Sequence, residues 1–238
     1  MNMLKTTGFV LRKNDYREYD RIYTFYTDDF GKLPLLVRGA RRVKSKLAPH
    51  LENFGEARVY FARGRVLNHL SGARVLEDNR VLLKNQEKIN LVCDCFYLLD
   101  KIIKPEESDR KIYGLLKETM AAASLASEAD FFKIKIYFFW RLADYLGYRP
   151  QLDECALCGR GFKKKEPFPA GISVKFNITE NIIICGECVG QGILIKDNAL
   201  KDLKTVFAGP LREFVKFDLD KSLIVLTEKA RQIKLSEL

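Results

Sequence analysis

At 238 residues, with 47% hydrophobic and 30% charged side chains, the chain has room for one large or two modest domains, of which we expect two, and its profile excludes a disordered or membrane protein. No apolar run approaches ~18 residues, and the opening Met1-Asn2-Met3-Leu4-Lys5-Thr6-Thr7-Gly8 lacks the apolar stretch of a secretory signal, which predicts a cytoplasmic protein without a membrane anchor. The net charge of +10 is concentrated at one end, because residues 1–80 hold 16 Lys+Arg against 9 Asp+Glu, an asymmetry that points to a polyanionic partner, nucleic acid before anionic lipid.

From Lys5 to about Leu76 the pattern is of short strands, Thr7–Arg12, Arg21–Thr27, Lys32–Val37, Ala57–Phe61 and Val66–Arg74. Turn-like Asp28-Asp29-Phe30-Gly31 and Ala62-Arg63-Gly64-Arg65 separate them. Five strands in about seventy residues predict a small closed barrel of the oligonucleotide-binding (OB) type. Pro34 within the third strand calls for an edge or bulge.

From Phe30 to Leu51 the chain has no acidic residue but carries Lys32, Arg38, Arg41, Arg42, Lys44 and Lys46. Arg38–Lys46, which follows the third strand, reads as a loop or ribbon projecting from one end of the barrel, with small residues that admit phosphates to the backbone. Cations at this density bind nucleic acid through phosphate neutralisation rather than base reading, although many basic runs serve only solubility. Arg12, Lys13, Arg17, Arg21, Arg63 and Arg65 extend the expected surface. Among the aromatics Tyr16, Tyr19, Tyr23, Phe25, Tyr26, Tyr60 and Phe61, some could stack bases while most fill the core.

After Asp78 the spacing becomes helical. One helix is expected over Asn79–Lys104, stopped by Pro105, and a second over Asp109–Ala126. Ser127-Glu128-Ala129-Asp130 offers a hydroxyl cap for a third, Phe131–Leu146, which Gly147 and Pro150 end. That helix is apolar on nearly every side and should be the buried centre of a bundle rather than a receptor for a partner's apolar tail. Further helices are expected over Asn198–Phe207 and after Gly209-Pro210.

Six cysteines in a cytosolic chain argue for metal ligands or buried thiols, not disulfides. Cys155-Ala-Leu-Cys158 and Cys185-Gly-Glu-Cys188 are two C-x-x-C turns 26 residues apart. Together they predict one closed four-thiolate zinc site, structural because no coordination position stays open for water. Gly159 and Gly186 would give the knuckles their backbone freedom, and Ile172–Phe176 with Asn181–Ile184 a hairpin between them. Cys93 and Cys95 are expected to be small core residues. His50 and His69 read as ordinary loop or strand residues, and the acid pairs Asp28-Asp29, Glu106-Glu107 and Asp218 with Asp220 as turns and caps. No phosphate-binding loop or nucleophile motif occurs, so no enzyme is expected and no catalytic or nucleotide-binding residue is assigned.

The expected class is therefore α+β, with an N-terminal OB-fold barrel over residues 1–78 and a helical domain over 79–238 that carries the zinc module at about 153–192. That order, with Leu146-Gly147-Tyr148-Arg149-Pro150-Gln151-Leu152-Asp153-Glu154-Cys155, Thr7-Gly8-Phe9-Val10-Leu11, Asp15-Tyr16-Arg17-Glu18-Tyr19-Asp20-Arg21-Ile22, Gly31-Lys32 and Arg38-Gly39-Ala40-Arg41-Arg42, resembles the RecO recombination mediators of bacteria. The likeness covers residues 1 to about 190, and the tail after Gly209 departs from it. The resemblance implies binding of single- and double-stranded DNA at the nucleoid, annealing of complementary strands, and recombinase loading with RecR on DNA coated by single-strand DNA-binding protein (SSB). It carries DNA contact to Arg38, Arg41, Arg42, Lys44 and Lys46. From the residues alone two other readings stay open: an OB-fold RNA-binding protein, and a zinc-containing nucleic-acid-processing enzyme.

Overall fold

Alternating apolar residues in the first 75 positions need a surface to bury against, and they find it in one another. In the computed structural model of the protein, which describes residues 3–52, 54–162 and 174–236, five strands close into a barrel in the order β1-β2-β3-β5-β4. They are β1 (Met3–Tyr16), β2 (Asp20–Thr27), β3 (Gly31–Val37), β4 (Ala57–Ala62) and β5 (Asn68–Val75). Tyr23, Phe25, Leu35, Val37, Val59 and Phe61 fill the interior, each at most 1% exposed, as the period of two requires. The chain therefore opens with the expected OB-like barrel.

β1 is longer than its apolar pattern. Its first half pairs with β4 and its second half with β2, with a register shift at Val10/Arg12 that bends the strand from one partner to the other. β3 pairs with β2 throughout, but meets β5 only at Leu35 and Leu36. Pro34 thus sits just before the parallel contact begins, where a missing N–H is tolerated.

The chain divides into two units, Met1–Ala126 and Ser127–Leu238. In the first, α1 (Gln86–Ile102) and α2 (Arg110–Leu125) pack on the barrel, with the Phe9 ring of β1 lying 6.4 Å from Phe96 and 5.7 Å from Tyr113. The expected single helix from Asn79 is corrected. Arg80–Lys84 is a 3-10 turn, and α1 starts only where the Asn85 side chain accepts the Lys88 N–H at 3.1 Å, satisfying a donor the first turn cannot. α2 is capped by Asp109, whose side chain accepts from Lys111 N–H. Buried Glu56 ties this unit together: Tyr113 Oη donates to one of its oxygens and Lys117 Nζ lies 3.0 Å from the other.

The second unit is built around α3 (Phe131–Tyr145), which buries Phe131, Ile134, Ile136, Tyr137, Phe138, Phe139, Trp140 and Leu142 against α4 (Asp197–Ala208), α5 (Leu211–Phe214) and α6 (Lys221–Ser236). Trp140 Nε1 donates to Thr227 Oγ1 at 2.9 Å and Tyr137 Oη to the Gly209 carbonyl at 3.0 Å, so the polar handles of this apolar helix are satisfied inside the unit. The hydroxyl cap is corrected: Ser127 Oγ donates to Asp130 Oδ2 instead of accepting a backbone N–H, and a 3-10 turn over Glu128–Asp130 opens the helix. Its end follows expectation. Gly147, at φ +84°, lets Tyr148 N–H reach the Ala143 carbonyl and its own N–H the Asp144 carbonyl, the paired bonds of a Schellman stop. Within the same unit β6 (Val174–Asn177) is the middle strand of a three-stranded sheet, between β7 (Ile182–Ile184) and β8 (Ile193–Ile195). Ile172 and Ser173 of the expected hairpin lie outside the described residues, and β8 was not expected.

Candidate nucleic-acid interface and metal centre

The basic loop begins where β3 ends. Gly39, at φ +65°, turns the chain so that its N–H donates to Asp20 Oδ1 at 2.8 Å, and Arg41 N–H donates to the Tyr19 carbonyl at 3.0 Å. Two further turns follow, Arg42 N–H to the Gly39 carbonyl and Ser45 N–H to the Arg42 carbonyl. Ala40 is buried in the barrel core and Leu47 packs against it. The segment is thus a chain of turns pinned to the β1–β2 turn at one end and to the core at the other, not a projecting ribbon. Nor is Ala40 small to admit phosphate; it is small because it sits in the core.

All five cations assigned to this loop, Arg38, Arg41, Arg42, Lys44 and Lys46, are exposed. Arg42 is steered by Tyr19, whose ring centroid lies 5.0 Å from the guanidinium carbon. Arg41 Nε lies 3.4 Å from Asp15 Oδ2, and among the described residues no ion pair involves the other four. Val43 stands fully exposed between them.

The additional cations sort differently. Arg12 pairs with Asp100 at 2.9 Å and Lys13 with Glu52 at 3.3 Å. Arg21 is held between Asp15 at 2.8 Å and Glu52 at 2.9 Å; the hydrogen bond from Arg21, then the Arg41 charge, keeps the Asp15 carboxyl below its usual range despite some desolvation. Lys32 is turned inward, its Nζ on the Asp100 carboxylate and on the Asp100 and Ile103 carbonyls. All four are tied to acids within the first unit; Lys32 and Arg21 are thereby drawn in, whereas Arg12 and Lys13 stay exposed, as do Arg17, Arg63 and Arg65. Of the aromatics, Tyr23, Phe25, Tyr26 and Phe61 are core, whereas Tyr19 and Tyr60 are 45% and 37% exposed. The anchoring role of Asp20 escaped sequence reasoning, because nothing local marks a carboxylate that meets a glycine 19 residues away.

The four cysteines of the two C-x-x-C turns converge. Their sulfur atoms all lie within 4.8 Å of one another, with Cys155 Sγ 3.9 Å from Cys188 Sγ and Cys158 Sγ 3.8 Å from Cys185 Sγ. A tetrahedral ion with metal–sulfur bonds of ~2.3 Å sets its sulfur atoms about 3.8 Å apart, so the spacing fits a metal, whereas a disulfide needs ~2.05 Å. The first knuckle is locked by Cys155 N–H to the Arg160 carbonyl and Gly159 N–H to the Cys155 carbonyl, with Gly159 at φ +68°. Cys185 N–H points at Cys155 Sγ from 3.3 Å. Burial alone would raise the Cys155 thiol, but backbone N–H groups of Cys185, Cys158 and Leu157 outweigh it and bring it to about 6. Hydrogen bonding with the Cys185 and Cys158 sulfurs pushes the Cys188 thiol up to about 12, whereas a coordinating cation would deprotonate it. Four cysteines placed this way can hold a metal ion. Gly186, by contrast, needs no left-handed backbone, which corrects its assigned role. Cys95 is buried as expected, but Cys93 is exposed: two residues along a helix turn a side chain by about 200°.

Among the described residues no helix is long and apolar enough to cross a membrane. Comparison with known proteins gives consistent matches. The family models described as "Recombination protein O N terminal" and "Recombination protein O C terminal" match residues 1–78 and 95–222. A protein of Dehalococcoides mccartyi named "DNA repair protein RecO" is 27% identical over 231 residues, 95% of this chain and 87% of its own. One of the same name from Thermoanaerobacter sp. is 28% identical over 221 residues, 93% and 83%. The RecO protein of Roseiflexus sp. is 28% identical over 186 residues, covering 78% of this chain and 62% of the Roseiflexus protein. With both halves matched in order, and with the barrel and cysteine cluster in place, this chain belongs to the RecO family of DNA repair proteins.

Proposed function

We propose that this chain is a recombination mediator of the cytoplasm that binds DNA through its basic loop, anneals complementary single strands and, with RecR, loads recombinase onto SSB-coated DNA, without covalent chemistry of its own. Residues 1–78 are the DNA-binding module and residues 79–238 the helical part, whose module at about 153–192 holds one structural zinc ion on Cys155, Cys158, Cys185 and Cys188. Family membership supports the DNA-repair setting, and RecR and SSB are the partners it brings.

The observation that carries DNA contact is the state of the loop cations. Arg38, Arg42, Lys44 and Lys46 are exposed and have no acidic partner among the described residues, on a loop held in place by Asp20 and Tyr19. Their charges therefore meet solvent from a fixed position. Phosphates on two strands neutralised there repel less, which lowers the barrier to pairing. The four thiolates fix the Cys155 and Cys185 turns relative to each other when zinc is bound, a folding contribution rather than a reactive one.

The test is the salt dependence of binding to a labelled deoxyoligonucleotide. If each cation neutralises one phosphate, changing Arg38, Arg42, Lys44 and Lys46 together to Ala should reduce the slope of log K against log salt by about 3 on a single strand, at ~0.7 per phosphate. A slope equal to that of the unaltered protein removes the loop from the interface. Competition with an RNA strand of the same sequence separates the DNA and RNA readings, and complementary strands coated with SSB, with and without RecR, test the mediator role.

A further inference from the structure

The outer surface of the barrel carries a second set of cations, away from the loop. β1, β4 and β5 are neighbours, and their register places Lys5 opposite Tyr60, Tyr60 opposite Gly72 and Arg58 opposite Arg74. Leu4, Val59, Phe61 and Ala73 pack on the barrel core. Alternation therefore turns Lys5, Arg58, Tyr60 and Arg74 to the outside.

Two features set this face apart from a merely solvated one. Arg58 and Arg74 are directly opposed like charges, an arrangement that destabilises a sheet unless something neutralises it. Among the described residues no ion pair includes Lys5, Arg58 or Arg74, so the sheet itself supplies no such neutralisation. Between these cations lies Tyr60, 37% exposed. It leans along the backbone of Gly72, where a Cβ would stand 3.5 Å from Tyr60 Cδ2, and so offers a flat aromatic surface at the level of the strands.

Cations flanking an accessible ring match the alternation of phosphate and unpaired base in a single strand. A duplex hides the faces of its bases, and a lipid headgroup has no aromatic ring to stack. We infer that the outer face of β1, β4 and β5 is a second single-strand DNA site, with phosphates at Lys5, Arg58 and Arg74 and a base on Tyr60. The inference rests on the proposed annealing function and deepens it. The basic loop is tied to the β1–β2 turn, beyond Tyr16, whereas this face involves Lys5 near the start of the same strand. That is about 36 Å of extended chain at ~3.3 Å per residue. One protomer holds one strand at the loop and its complement on the barrel wall, which raises their local concentration without a second subunit.

The experiment uses the full chain and 12-mer deoxyoligonucleotides, one of them carrying 5-iododeoxyuridine for photo-crosslinking. The unaltered protein should bind two 12-mers per chain and crosslink at Tyr60; two bound strands without that crosslink overturn the proposal whatever any variant does. Changing Arg58 and Arg74 to Ala should leave one 12-mer bound, remove the Tyr60 crosslink and slow annealing about tenfold. The thermal midpoint of this variant at low salt should not fall, since a repelling pair is gone. The loop variant should keep the Tyr60 crosslink. If the Arg58/Arg74 variant still binds two strands and anneals at the normal rate, the wall site is wrong and the loop reading stands; if the unaltered protein binds no strand at all, the loop reading fails as well. Vesicles containing phosphatidylglycerol that capture the unaltered protein but not the variant, with strand stoichiometry unchanged, overturn the DNA assignment in favour of a lipid surface.

Discussion

Gly31 and Gly147 both hold left-handed backbone, at φ +58° and +84°, yet their surroundings differ. A Cβ on Gly147 meets nothing within 4 Å, whereas one on Gly31 would stand 2.0 Å from the Glu107 carbonyl oxygen. Gly147→Ala should therefore cost only the strain of the left-handed conformation, about 1 kcal/mol. Gly31→Ala must in addition lift the β2–β3 turn off the segment after α1, for a loss of roughly 3 kcal/mol. Urea unfolding of the two variants compares them directly, and equal losses would refute the role given to the Glu107 contact. Asp15 poses a residue-scale question about binding. Its carboxyl is held below its ordinary range by Arg21 first and by Arg41 as well, so at neutral pH it is charged and offsets part of the Arg41 charge. Asp15→Asn should tighten single-strand binding and steepen its salt slope by up to ~0.7, the contribution of one released cation; weaker binding would show that Asp15 serves the interface by positioning Arg41.

Elements were legible in proportion to how local their causes are. The five strands could be read because alternation and turn residues such as Asp28-Asp29-Phe30-Gly31 are properties of short stretches. β1 overran its expected bounds because Lys13, Asn14 and Asp15 are strand by virtue of pairing with Tyr23, Ile22 and Arg21, and nothing in their own pattern announces it. The start of α1 was misplaced for a related reason: a run free of Gly and Pro reads as one helix, but Leu82 is buried from a 3-10 turn and tertiary burial overrode propensity. β8 is three residues long and pairs with β6, too short for a period to show. At the site, the cysteine cluster was visible because each C-x-x-C turn is self-contained. The loop cations were visible as charge density, whereas which of the neighbouring cations are free was not. Arg12, Lys13 and Arg21 meet acids at positions 100, 52 and 15, pairings set by the fold. The opposed Arg58 and Arg74 on the barrel wall were hidden for the same reason, since only the register places them side by side.

At the scale of the whole molecule, the larger share of the positive charge and the cysteine cluster fall in different units. Residues 1–126 carry 23 Lys+Arg against 16 Asp+Glu, and residues 127–238 carry 18 against 15, while all four converging cysteines belong to the second unit. DNA and metal should therefore act on different cooperative transitions. Calorimetric unfolding should resolve two, because each unit buries its own apolar residues, Tyr23, Phe25 and Phe61 in one and Phe138, Trp140 and Phe176 in the other. A single-stranded oligonucleotide at a hundredfold excess over its Kd should stabilise the barrel's unit by about 2.7 kcal/mol, raising that midpoint by several degrees. A strong chelator should lower the other midpoint, because thiolates packed within 4.8 Å repel once no cation is shared among them. With both additions present each shift should persist, and oligonucleotide affinity should survive chelation. Were chelation to abolish oligonucleotide binding, the cysteine module would have to take part in holding DNA, and the division of labour between the basic barrel and the sulfur-ligated module would be wrong.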